Sequence, residues 1–254
     1  PCDPAECIFG CGGSCALRCV DYVDYCLRKE GDVAAVVVET IRCTDVQIPP
    51  LDYYRRLRQI CDRHGALLIL AEIPIALGRT GHLFAIELYG IEPDMIVIGK
   101  GLGGGSMPLA ALIARSRFDV GQHLSLGHYT HEKNPLACAA GLAVLDVIEK
   151  EQLPARSLRL GEAVKACLER AKNAAVASIR TAGLLIGIEL RDTAARSAQD
   201  LAEAVLYRCL SDGISFKVGQ GKVLVLAPPL NIDEADLWWA LERIVAALDA
   251  ESRT

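Results

Sequence analysis

Lys100 stands where an apolar run gives way to glycine, in Met95-Ile-Val-Ile-Gly-Lys100-Gly-Leu-Gly-Gly-Gly105. A lysine ending a buried strand is costly unless its amine is used. Desolvation at such a place lowers an amine's pKa and makes it a nucleophile toward carbonyls, the chemistry of a Schiff-base lysine. The plainer alternative is a solvated lysine at a strand end. A phosphate loop fits poorly: that pattern places its lysine after the glycines and before a helix. Here the lysine comes first, and another apolar segment, Leu109-Ala-Ala-Leu-Ile-Ala-Arg115, follows.

Further segments surround this lysine in a fixed order. Upstream lie His64-Gly-Ala-Leu-Leu-Ile-Leu-Ala-Glu72-Ile-Pro-Ile-Ala-Leu-Gly78-Arg-Thr-Gly81 and Gly90-Ile-Glu-Pro-Asp94. Downstream lie Gly127-His-Tyr-Thr130-His-Glu-Lys-Asn134-Pro135, Ile179-Arg-Thr-Ala-Gly183-Leu-Leu-Ile-Gly187-Ile-Glu189 and Val225-Leu-Ala-Pro-Pro-Leu230. In this order and spacing the chain resembles class III aminotransferases, fold-type-I enzymes that use pyridoxal 5′-phosphate (PLP). The resemblance runs from about Val33 to the C-terminus.

It implies that Lys100 forms the Schiff base with PLP and then moves protons in the reaction. It also implies that Ile73 packs against the cofactor ring, and that Thr130 reaches the cofactor phosphate of a neighbouring subunit, hence a homodimer. One position departs from the family pattern. Ala71 stands where the family has an aspartate paired with the ring nitrogen, and alanine cannot hold that proton. Glu72 is next to it but points to the opposite face of a strand. The N-terminal half of the family, with its phosphate cradle, has no counterpart here. That leaves a second expectation, a non-catalytic remnant or fragment that keeps the fold and a dimer surface.

Three positions bear on substrate. Many relatives that bind an α-carboxylate have arginine where Val225 stands, and valine cannot anchor a carboxylate. Arg42 replaces a more usual glutamine, and Lys217 is a second cation. Together with Ala71-Glu-Ile-Pro74 and Tyr129-Thr-His-Glu-Lys-Asn-Pro135, these resemble one branch of the family. That branch includes an ammonia-lyase acting on 1-hydroxy-2-aminoethylphosphonate. A small amine or aminophosphonate is the expected substrate, by aminotransfer or by ammonia elimination.

The elements that must position these residues follow from periodicity. A helix is expected over 14–30, a fully buried strand over 32–39, a helix over 51–64 ending at Gly65, and strands over 67–72 and 95–99. Strands alternating with helices imply an α/β fold with a mostly parallel sheet, whose strand C-termini carry ligands. Glu39, Glu72 and Lys100 fall at such ends. The resemblance makes residues 1–152 the C-terminal part of a PLP-binding large domain and 153–254 an α+β small domain. In that tail the pattern gives helices over 155–173, 197–211 and 233–249, and strands around 184–190, 214–217 and 223–226. A helix over 135–150 precedes it, with Asn134 as cap.

Composition is permissive: 52% hydrophobic and 23% charged residues allow a substantial core. A net charge of −5 with scattered basic residues argues against nucleic acid as partner. No apolar run reaches membrane-spanning length, so a cytoplasmic protein is expected. The chain has 11 cysteines, six of them early: Cys2, Cys7, Cys11, Cys15, Cys19 and Cys26. With no Cys-x-x-Cys pair, no metal is expected. The four-residue spacing from Cys7 to Cys19 reads as one helix face.

Overall fold

Alternating apolar and amphipathic segments build a first unit from Pro1–Ile41, Pro49–Leu77 and Phe84–Glu151. The structure, a computed structural model, describes residues 7–11, 14–121, 123–124 and 129–252. The elements of this unit are α1 (Arg18–Glu30), β1 (Ala35–Glu39), α2 (Asp52–His64), β2 (Leu67–Ala71), β3 (Met95–Ile98), β4 (Ala111–Ala114) and α3 (Pro135–Lys150). The sheet runs β1-β2-β3-β4. Its first three strands are parallel, and β4 returns antiparallel along β3. Helix α2 stops where Gly65 turns left-handed (φ 69°) and its N–H closes on Asp62 and Cys61. Its Tyr54, Leu57, Ile60 and Cys61 form the buried face.

Two expectations change here. Strand β1 is a sheet edge among the described residues, not a fully buried strand, and Val37 is 65% exposed. A run of valines reports β-propensity, which does not distinguish an edge from a centre. Helix α1 begins only at Arg18, so Cys7 to Cys19 do not share a helix face. Gly10, at φ 63°, instead closes a turn by donating its N–H to the Cys7 carbonyl (2.7 Å). Cys2 lies outside the described residues.

The second unit takes Gln152–Thr254 and two short insertions from the first half, Arg42–Ile48 and Gly78–Leu83. It comprises α4 (Leu153–Ala171), β5 (Val176–Ala182), β6 (Leu185–Leu190), α5 (Ala198–Ser211), β7 (Lys217–Gly219), β8 (Val223–Leu226) and α6 (Glu234–Glu251). An antiparallel sheet runs β5-β6-β8-β7. The single strand expected around 184–190 is one arm of a hairpin, because Gly183 (φ 53°) turns the chain back. Ile186, Ile188, Leu190 and Leu224 face Leu160, Leu201, Val205 and Leu241 in one core. Ser197 and Asp233 cap α5 and α6 through the N–H groups of Asp200 and Ala235.

Candidate active site

The register of the first sheet brings Glu39, Ala71 and Val97 into one row at the C-terminal ends of the parallel strands. The next residue on each strand turns to the other face. Glu72 is fully buried there and committed. Its carboxylate accepts from the Thr40 hydroxyl (2.8 Å) and from the N–H groups of Ala85 (2.7 Å) and Ile86 (2.8 Å). Burial pushes its carboxyl above the ordinary value, against the pull of these donors. Glu72 thus joins the end of β1 to the 3₁₀ turn Ala85–Tyr89. It is not available to replace the carboxylate that Ala71 lacks.

Beyond β3 the chain turns sharply. A methyl group on Gly99 would lie 3.3 Å from Cγ2 of Ile73, so the glycine lets Ile73 pack beside the lysine's own strand end. Ile73 keeps 37% of its surface exposed. Lys100 follows with a left-handed backbone, φ 45°, and its side chain is exposed rather than desolvated as its place at a strand end suggested, because β3 stops at Ile98 and the lysine opens the turn beyond it. A side chain in that conformation is strained, and such strain concentrates at functional positions. The Leu102 N–H closes the turn on the Gly99 carbonyl (3.1 Å). Gly141 of α3 admits Leu109, whose Cδ2 would lie 2.6 Å from any added Cβ, which seats the helix against the glycine segment. Asn134 caps α3 through the N–H of Leu136 (2.9 Å), so Thr130 is not the capping residue. Thr130 lies in the preceding turn, exposed. The Gly127 and His128 of its motif lie outside the described residues.

In the second unit Arg180, Gly187, Val225 and Lys217 form one row across β5-β6-β8-β7. Directly opposed residues share a face. Gly187 takes Val46 onto that face, 2.8 Å from where its own Cβ would be. The Arg180 guanidinium donates to the carbonyls of Val46 and Asp45 (both 3.0 Å). Arg42 belongs to the same 42–48 turn, in a forked pair with Asp45 (Nε–Oδ1 2.8 Å, Nη2–Oδ2 2.5 Å). Asp45 is buried, which raises its carboxyl, but Arg42 and Gln47 more than offset this and hold it below the ordinary value. Much of the Arg42 charge is therefore neutralised internally. Lys217 is exposed and Val225 buried on this face.

These residues fit PLP in part. They offer an amine at a strand end and an apolar side chain beside it for the ring. They offer no carboxylate at Ala71, and Thr130 is the anticipated phosphate donor among the described residues. Missed by sequence reasoning were the left-handed Lys100, hinted at only by the glycines flanking it, and the Glu72 cap. Thr40 and Glu72 are 32 residues apart, and no local pattern joins them.

The family model described as aminotransferase class-III matches residues 10–248. The chain is 44% identical to the (R)-1-hydroxy-2-aminoethylphosphonate ammonia-lyase of Vibrio splendidus, over 90% of this chain and 48% of that protein. It is 38% identical to ornithine aminotransferase 2 of Staphylococcus aureus, over 90% of this chain and 57% of that protein. Among solved structures it is similar to the Toxoplasma gondii ornithine aminotransferase, which shows partial occupancy of PLP at its active site. That likeness has a TM-score of 0.84 at 32% identity and covers 92% of this chain and 55% of that one. The chain spans about half the length of the curated relatives it matches.

Proposed function

The chain belongs to the class III aminotransferases, whose cofactor is PLP and whose fold it shares, and on that premise we propose that it carries the lysine side of an active site acting on a small aminophosphonate. The observation that carries the reading is Lys100: an exposed amine on a strained backbone, at the C-terminal end of a parallel strand, beside Gly99 and Ile73. PLP, when bound, supplies a carbonyl for the lysine and a ring that withdraws electrons from the substrate's amine-bearing carbon. Lys100 would hold the cofactor as its nucleophile and would serve as the base toward the proton on that carbon. Ile73 would pack on the ring. Thr130 would donate to the phosphate of a neighbouring subunit, which makes the proposed working form a homodimer.

A phosphonate substrate, and with it ammonia elimination, is favoured by three residues of the second unit. Val225 gives no grip on an α-carboxylate, whereas Lys217 offers an exposed cation on the same sheet face. A phosphonate has more charge and more acceptor oxygens than a carboxylate and suits such cations better. Arg42 contributes the smaller share, since Asp45 already takes its guanidinium. The ammonia-lyase of Vibrio splendidus is a curated relative named for such a compound.

Borohydride reduction with added PLP, followed by peptide mapping, should place the pyridoxyl group on Lys100. Labelling spread evenly over surface lysines would remove the basis of the proposal. A competition of a hydroxy-aminophosphonate against alanine, ornithine and 4-aminobutyrate then decides the substrate class, and preference for an α-amino acid returns the reading to an ordinary aminotransferase. Ala71 favours one other reading, a non-catalytic remnant that retains the fold and dimer surface. It is the one to adopt if neither PLP labelling nor turnover is seen.

A further inference from the structure

Five cysteines of the first unit precede β1 within the described residues, and the reading of the active site uses none of them. Two of them meet. The Cys7 and Cys11 sulfurs are 3.5 Å apart, brought together by the turn that Gly10 closes on Cys7. The turn is strapped to α1: the Arg18 guanidinium donates to the carbonyls of Phe9 (3.1 Å) and Gly10 (2.7 Å). The Phe9 ring lies 5.7 Å from that of Tyr22. Cys7 is partly exposed and Cys11 buried.

We propose that Cys7 and Cys11 form a reversible disulfide by exchange with an oxidised low-molecular-weight thiol such as glutathione disulfide. The sulfurs need to close from 3.5 Å to the bonded separation of about 2.05 Å, across a turn already formed. Exposure gives the order of steps. The Cys7 thiol loses its proton to solvent and attacks one sulfur of the small disulfide, forming a mixed disulfide and expelling one thiolate. Cys11, already in contact, loses its proton and attacks the Cys7 sulfur, expelling the second thiolate, and the two released protons satisfy the two thiolates. Two protein thiols are oxidised by two electrons and one small disulfide is reduced to two thiols. Because Cys11 is held against Cys7, the second step is intramolecular and outruns capture by external thiols. Cys15 and Cys19 are the competitors. Burial, with smaller contributions from neighbouring cysteines, pushes the Cys19 thiol up, which makes it the poorer nucleophile.

The experiment incubates the purified full chain with glutathione disulfide, blocks free thiols and maps peptides without reduction. Cleavage after Glu6 and Phe9 separates Cys7 from Cys2 and from Cys11, and fragmentation distinguishes Cys11 from Cys15. A Cys7–Cys11 bridge should exceed every other pairing by at least about tenfold, as expected for preassociated thiols. Cys11→Ser should retain glutathione on Cys7, and Cys15→Ser should leave the bridge intact. A dominant bridge to Cys15 or Cys19, glutathione persisting on Cys7 in the parent chain, or oxidation confined to the exposed Cys138 would overturn the proposal.

Discussion

Lys100 occupies a backbone conformation, φ 45°, that its side chain disfavours by about 1–2 kcal/mol relative to the ordinary regions. Glycine adopts it freely. Lys100→Gly is therefore expected to raise the stability of the cofactor-free chain by about 0.5–1 kcal/mol while abolishing pyridoxyl labelling, after allowing for glycine's greater chain entropy. Chemical denaturation checks it, and a loss of stability would mean that the lysine side chain contributes packing. Ala71, on the strand paired with β3, makes a second test. On the proposed reading Ala71 leaves the pyridine nitrogen without a carboxylate, and the buried Glu72 is spent on Thr40, Ala85 and Ile86. In the PLP-loaded protein, Ala71→Asp should keep the ring nitrogen protonated to higher pH, read by ¹⁵N NMR of labelled cofactor. Identical titrations in parent and variant would mean that another group holds the ring proton.

At the scale of elements, period and punctuation carried most of the reading. Helix α2 with its Gly65 stop, and α3 from Pro135 to Lys150 with its Asn134 cap, lie where the pattern placed them. What local pattern left out was set at a distance. Whether β1 is an edge depends on which strands flank it; β5 was missed for a different reason, a local turn at Gly183 that pairs it with β6. The candidate lysine was legible as a residue at a strand end, whereas in the second unit the row that joins Lys217 to Val225 and Gly187 exists only once strands pair. Long-range packing also explains Gly161 of α4: a Cβ there would lie 2.0 Å from the Gly183 carbonyl oxygen, backbone against backbone. Gly161→Ala should cost about 3 kcal/mol, the upper range for overpacking, measurable by denaturation. Asp94 ties further elements together. Its carboxylate accepts from the Leu68 N–H (2.9 Å), Arg58 (2.6 Å) and Arg117 (2.8 Å). Burial raises this carboxyl, but the Leu68 N–H and Arg58 outweigh burial and leave it below the ordinary value. A depressed folded pKa means stability that is complete above the unfolded value, about pH 4, and lost as pH falls through the folded one. Asp94→Asn should destabilise by about 2–4 kcal/mol at neutral pH and show a shallower acid limb than the parent. Parallel acid limbs would assign the acid sensitivity to other carboxylates.

Over the whole molecule, the first unit exposes apolar surface on both sheet and helix. Val37 on β1 is 65% exposed and Leu112 on β4 59%, and both strands are sheet edges among the described residues. Helix α3 adds Leu136 at 66% and Leu142 at 67%, on a segment with apolar residues around most of its circumference. A helix that is apolar all round is normally buried, and contiguous apolar patches on soluble proteins mark contacts. The proposed homodimer gives that surface a use, and Thr130, five residues before α3, is the residue through which one subunit would serve the other. Leu142→Asp puts a charge on the exposed face without touching Ala137, Gly141 or Ile148, the buried residues of the helix. If α3 is covered by a second copy, the variant should dissociate at protein concentrations where the parent stays dimeric. A weakening of roughly thirtyfold corresponds to about 2 kcal/mol at a buried contact. Sedimentation velocity across a dilution series checks it, with circular dichroism to show that α3 still folds. A parent chain that is monomeric throughout, or a variant with unchanged association, would mean that this face is covered by something other than a second copy.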